Sequence, residues 1–265
     1  MLLQHNILLL CVLVAVIALL YALGERFRAF RVLRTYKAAV PVMAYVVIVT
    51  MVMGLVRQES GGHWFHDMLS FWPFQLAYVL MIIILGIAVV DRVRKIIARK
   101  HYDWRTDTPF LLNHAGLFIA VVAATLGSSD FRQLRMLASL DQVEWRAYNE
   151  EGGEVLMPFS VELQRFIMET YDDGTPKRFA SDLLFYIEDG RKIAATVDVN
   201  HPVTVEGYDI YQFGYDEMAG PNSSYSILQV VRDPWLPAVY TGIFMLIAGA
   251  LWSVLFRTKR TAAKN

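Results

Sequence analysis

The residue with the most to explain is His114, in the run FLLNHAGLFIAVVAATLG from Phe110 to Gly127. An ionisable side chain inside an apolar helix long enough to cross a bilayer is costly, and usually sits against a partner, a cavity or a cofactor. At ~1.5 Å per residue it lies about 8 Å inside one end of that helix. The neutral imidazole, the form hydrocarbon tolerates, is also the form that ligates a metal. Stepping about 100° per residue, Leu117, Phe118, Val121 and Thr125 share the side of His114, whereas Gly116, Ala120, Ala123 and Gly127 lie opposite. The small face suits the close approach of another helix. The other face shows an imidazole followed by an apolar, partly aromatic wall. Two readings stand. Either His114, Leu117, Phe118 and Val121 receive a flat apolar ligand, with His114 as an axial ligand to porphyrin iron, or the imidazole is hydrogen-bonded structurally to a backbone carbonyl or to Asn113.

The other histidines are weaker candidates. His63 and His66 stand three apart in GGHWFHD, a spacing at which a helix would place both on one face for a metal or a porphyrin edge. With Trp64 and Trp72 beside them they also read as an interfacial anchor. His201 precedes Pro202, so its backbone is biased to extended and it reads as a turn residue. His5 and His101 fall at the ends of apolar segments. One cysteine, Cys11, excludes an intrachain disulfide, a Cys-x-x-Cys pair and a multi-thiolate zinc site. No Gly-rich phosphate loop, HExxH, Gly-x-Ser-x-Gly or Cys-x-x-Cys-His sequence occurs, and no catalytic residue is expected.

The elements that must position these residues are five apolar segments, near 7–23, 39–56, 73–90, 109–127 and 236–256, each long enough for a hydrocarbon core of ~30 Å. The first has no basic residue ahead of it and no clear small-x-small site after it, so a retained helix is expected rather than a secretion signal. Basic residues gather in Glu25–Lys37 (Arg26, Arg28, Arg31, Arg34, Lys37), in Asp91–Asp107 (Arg92, Arg94, Lys95, Arg99, Lys100, Arg105) and in the tail (Arg257, Lys259, Arg260, Lys264), while 57–72 holds only Arg57. The positive-inside rule therefore makes those three segments cytoplasmic, with the N-terminus and residues 128–233 outside. This distribution also explains the basic loops without nucleic acid.

Residues 128–233 carry 19 acidic against 9 basic side chains, as exported domains commonly do. Apolar alternation at Val161–Arg165, Asp182–Glu188 and Ile193–Val199, a Glu188-Asp189-Gly190 turn, an aromatic-rich Tyr208–Tyr215 and a last run Tyr225–Arg232 predict a β-rich, sandwich-like domain. The expected architecture is an integral membrane α-helical bundle (1–127), a β-rich extracytoplasmic domain (128–233), and a final transmembrane helix with a basic cytoplasmic tail (234–265).

Four stretches in order, LLNHAGLFI, FSVELQRFIMETYDDGTPKRFASDL, VNHPVTVEGYDIYQFGYD and VVRDPWLPAVYTGIFMLIAGALW, resemble the ResB/CcsB family of cytochrome c biogenesis proteins. The resemblance spans about Ala39 to Trp252. It implies a multi-pass subunit of the bacterial cytoplasmic membrane that pairs with a ResC/CcsA-type protein, moves haem b outward as a transient cargo, and supports its thioether attachment to apocytochrome c. It implies a non-catalytic-looking subunit of a cytochrome c synthase, or haem lyase, complex. In that family a histidine in the helix before the external domain ligates haem, and the matching residue is His114. The chain departs from the family in its shorter length and additional first helix. It also lacks a tryptophan-rich motif, which belongs to the partner, so further histidine ligands are expected from another chain. Two alternatives follow from the residues: a b-haem anchor for quinol-linked electron transfer, which normally brings two intramembrane histidines, and a non-catalytic envelope scaffold.

Overall fold

The computed structural model describes residues 2–256 apart from 60, 62 and 64, with side-chain surroundings from residue 5 onward. Trp64 and the basic tail Arg257, Lys259, Arg260 and Lys264 lie outside the described residues. The chain forms two compact units, one of residues 1–129 with 235–265 and one of 130–234.

The first unit is helical: α1 (Leu2–Arg26), a short α2 (Arg28–Arg31), α3 (Tyr36–Leu55), α4 (Trp72–Arg99), α5 (Asp107–Gly127) and α6 (Leu236–Leu255). Among the described residues, α1, α3, α4, α5 and α6 are long and apolar enough to cross a membrane. Helix α4 runs nine residues beyond the expected end at Val90. Its extension is rich in good helix formers whose charges find partners: Asp91 with Arg34 and Lys95, Arg94 with Glu25, and Arg92 and Arg99 with Asp107. It stops at Lys100, which takes the left-handed conformation (φ 53°).

The small face of α5 meets α6. A Cβ added at Gly116 would lie 2.8 Å from the Gly242 carbonyl oxygen, and one at Gly242 would lie 2.6 Å from the Ala120 nitrogen. Only glycine permits main chains that close. Gly249 leaves room for Asn113, whose Oδ1 would be 2.5 Å from an added Cβ, and Gly127 packs under Trp235. At the other side α1 is tied to the end of α5 by the buried Asn6, whose Nδ2 donates to the Leu126 carbonyl at 2.9 Å.

The second unit holds eight strands: β1 (Arg132–Ser139), β2 (Val143–Tyr148), β3 (Glu154–Thr170), β4 (Pro176–Ile187), β5 (Lys192–Asp198), β6 (Val203–Val205), β7 (Tyr208–Tyr215) and β8 (Tyr225–Arg232). They form one antiparallel sheet in the order β5-β4-β3-β2-β1-β8-β7-β6. The expected β-rich, sandwich-like domain is built from one continuous sheet. Pairing of β1 with β8 along its whole length, Arg132 with Arg232 through Ser139 with Tyr225, joins what would be separate sheets. The continuous sheet instead folds over its own core. The Ser181 hydroxyl of β4 donates to Gln212 Oε1 of β7 at 2.6 Å and lies 2.5 Å from Ser226 Oγ of β8, although β4 neighbours neither strand in the sheet. Around this buried polar contact pack Val161, Leu163, Leu183, Phe185, Ile210 and Leu228. The Glu188-Asp189-Gly190 turn forms as expected, with Gly190 at φ 86°. In β2 the ladder shifts register between Glu144 and Arg146. Glu144 Oε1 accepts the main-chain N–H groups of Trp145 and Arg146 there, and the Arg146 guanidinium beside it holds its carboxyl down at about 2.

Because the α5–α6 contact is main chain against main chain, Gly242→Val should lower stability by about 1–3 kcal/mol through overpacking. Gly54, with nothing within 4 Å of an added Cβ, is the control, and Gly54→Ala should leave thermal unfolding of the detergent-solubilised chain unchanged or slightly raised.

Candidate functional site

His114 stands about two turns into α5, one turn beyond Phe110. The two rings stack with centroids 3.9 Å apart at 13°, and His114 Nδ1 lies 2.9 Å from the Phe110 carbonyl oxygen. A carbonyl only accepts, so Nδ1 carries the proton, and in the neutral imidazole Nε2 keeps its lone pair. No hydrogen bond reaches Nε2 among the described residues. The structural reading of this histidine and the ligand reading are thus compatible, one nitrogen serving each. A main-chain acceptor that fixes tautomer and ring orientation is the usual second partner of a metal-bound histidine.

His114 lines a cavity of about 380 Å³. Helix α3 contributes Ala39, Val42 and Met43 to it, and α4 contributes Met81, Ile84, Leu85 and Ala88. Asn113 and Leu117 of α5 and Leu246 of α6 complete the wall. Apart from Asn113 and His114 these side chains are apolar, so the cavity favours a largely apolar ligand held by one directed polar contact.

Of the residues expected beside His114, Leu117 is in the wall and two others are not. Phe118 is turned toward α4 and α1, where a Cβ on Gly86 would meet its ring at 3.0 Å, and it packs against the cluster of Ile17, Tyr21 and Ile87. Stepping along the helix puts it some 40° from His114, enough to cross from one neighbouring helix to another. Val121, half-buried, lies seven residues from His114, about 10 Å along the axis, beyond the cavity. The residues that replace them come from α3 and α4, whose aliphatic side chains carry no chemical signature. Only the face they share at helical spacing, Met81, Ile84 and Ala88, was there to be read.

His63 and His66 sit in a turn, not a helix: the His66 N–H donates to the His63 carbonyl at 2.7 Å, and His66 Nδ1 lies 3.0 Å from the Arg57 carbonyl. Among the described residues no group of three or more His, Cys, Asp or Glu is placed to hold a metal ion. His201 lies in the turn between β5 and β6, its carbonyl accepting from the Asp198 N–H at 3.3 Å.

The first residue of α5 is fully buried. Asp107 pairs with Arg92 Nε at 2.8 Å and with Arg99, and accepts the Asp103 N–H at 2.8 Å. The Arg92 guanidinium also lies 4.8 Å over the Phe110 ring on which His114 stacks. Close by, Trp104 meets Trp252 and Phe256 edge-on, and Trp252 Nε1 donates to the Trp104 carbonyl at 3.1 Å.

Residues 105–223 match the ResB-like family. The chain is 33% identical over 107 residues to the cytochrome c biogenesis protein CcsB of Prochlorococcus marinus strain MIT 9301, covering 38% of this chain and 23% of that one. It is 30% identical over 160 residues to the CcsB of P. marinus subsp. pastoris, covering 58% and 34%. Protein NrfI of Wolinella succinogenes is 28% identical over 110 residues, 40% of this chain and 12% of that one. The chain therefore spans about a third or less of the length of these relatives.

Removing one charge from the buried cluster should be costly, since it strands the others. Asp107→Asn is expected to lower stability by about 1–3 kcal/mol, since the two arginines it leaves keep some solvent contact, read as a fall in melting temperature of the solubilised chain, while Glu59→Gln, in an exposed pair, should leave it unchanged.

Proposed function

From the premise that this chain is a member of the ResB-like family, matched over residues 105–223, we propose that it is a membrane subunit of a cytochrome c biogenesis system that holds haem through His114. The observation that carries the reading is the divided imidazole: Nδ1 bonded to the Phe110 carbonyl, Nε2 without a partner, at the wall of an apolar cavity between helices. The residues fit the group. An iron ligand is available, its tautomer is set, and the remaining wall, led by Leu117, Ile84 and Ala88, suits a macrocycle. Phe118 and Val121 take no part in it.

His114 is the only histidine within the apolar helices beyond their ends among the described residues, so it supplies one axial position. The second comes from a partner of the ResC/CcsA type, which the names of the CcsB relatives support through their shared role in cytochrome c biogenesis. The chain lies in the bacterial cytoplasmic membrane, with the N-terminus and the β unit outside and the C-terminus in the cytoplasm. The Asn6 contact supports this topology, because it brings the start of α1 to the end of α5 from which the β unit follows in sequence. His114 is then nearer the cytoplasmic face, where haem is made. The β unit serves the outer side, holding the apocytochrome or the partner while the thioether bonds form.

In the complex purified with its partner, His114→Ala should lose most of its bound haem or shift the Soret band, and added imidazole should restore the band. Unchanged haem occupancy and spectrum in the variant would contradict the assignment.

A further inference from the structure

The apolar wall beside His114 continues into charge. On α4 the stripe Ile84, Ala88 runs on at helical spacing into Asp91 and Lys95, and Thr35 is the extended residue just ahead of α3, four before Ala39. Thr35, Asp91 and Lys95 line a second cavity, of about 440 Å³, together with Arg31 and Arg34. The two cavities share no lining residue but follow one another along α4, the apolar one beside His114 and the charged one next to it, walled by Gly24, Glu25, Arg31, Arg34 and Thr35. Asp107 pairs with Arg92, the neighbour of Asp91, and stands seven residues before His114. The charged stretch therefore lies about 10 Å along the bundle from the imidazole.

This stretch has more cations than its own carboxylates neutralise. Asp91 receives both Arg34 and Lys95, each at 2.5 Å, and Glu25 receives Arg94. Arg31 reaches only the main-chain carbonyls of Gly24 and Glu25, at 3.4 Å each, and ion-pairs with no carboxylate among the described residues. Three cations of the lining thus face two carboxylates, and Arg94, from outside the lining, takes up Glu25, which leaves two positive charges in excess at this end of the bundle.

We propose that Arg31 and Lys95 form a subsite for two carboxylates carried on one edge of the ligand whose apolar body lies against His114. The proposal rests on the haem reading above, since haem is a planar iron macrocycle with two propionates on one edge. Arginine and lysine next to the apolar cavity then set which way round it enters and discriminate against porphyrins without free acids. Anionic lipid headgroups share this chemistry, so the surrounding lipid must be controlled.

The test uses the full chain in nanodiscs of phosphatidylcholine, titrated with haem and with haem dimethyl ester and read by Soret absorbance. Haem is expected to bind about tenfold or more tightly than the diester. Arg31→Gln with Lys95→Gln should remove that preference by weakening haem alone, and Arg31→Lys should keep most of it. The diester affinity, unchanged in the variants, reports an intact apolar cavity. Equal affinities for haem and diester in the wild type, with a Soret band still dependent on His114, would overturn the carboxylate subsite and leave the haem site standing. A double variant that alters haem affinity only in phosphatidylglycerol nanodiscs would assign the cations to lipid and equally overturn it. No Soret change with either compound would overturn the haem reading itself.

Discussion

A carboxylate with no exposed surface holds the helices of the site at a common level. Asp107 stands at the N-terminus of α5, where the unpaired N–H groups of a first turn favour negative charge, and it is gripped by Arg92 and Arg99, two turns apart on α4. An ion that deep is stable only with its partners in place, so the register of α5 against α4 is not free to slip. Everything around His114 inherits that register. Phe110 lies beneath Arg92, His114 lies on Phe110, and the cavity opens opposite Ile84 and Ala88. The glycines of α5 and α6 complete the frame by letting the two main chains touch, which leaves the histidine face of α5 to α3 and α4.

The division of labour within the imidazole follows from the same frame. A histidine in a helix can bond the carbonyl four residues before it at no cost to a neighbour, and His114 does so. That bond chooses the tautomer and directs the lone pair away from its own helix. Under the haem-binding function proposed above, the protein would present a preorganised ligand from one chain, with the remainder of the coordination left to another. A carrier that hands its cargo on is served by such a half-site, because a complete set of ligands would hold the iron in place.

How much of this was legible in the residues depended on whether a pattern was local. Five apolar runs, the histidine within one of them and the small-residue face opposite it could be read directly, since each repeats at helical or bilayer length. The hairpin at Gly190 and the strands β3, β4, β5, β7 and β8 showed alternation. Strand β1 was blurred because the exposed Leu137 breaks the alternation of Leu134, Met136 and Ala138 with polar residues, β2 by its bulge, and β6 by having only three residues. A single sheet was not distinguishable from two, as the joining pair β1 and β8 is separated by about ninety residues of sequence. The helical face around His114 was drawn too wide. Phe118 and Leu117 both flank it, and only the positions of α1 and α4 decide that one is wall and the other packing. Asp107 read as one more acid in a charged loop, for its burial is created by arginines that the same loop had assigned to solvent.

The central claim is that His114 offers Nε2 to iron while Nδ1 stays on the Phe110 carbonyl. A cryo-electron microscopy map of the haem-loaded chain with its membrane partner, at a resolution that separates the two ring nitrogens, tests it most directly. The account predicts iron at coordination distance from His114 Nε2, with Nδ1 still near 2.9 Å from the Phe110 oxygen. Iron bound elsewhere, or bound through Nδ1 with the Phe110 contact broken, would contradict it.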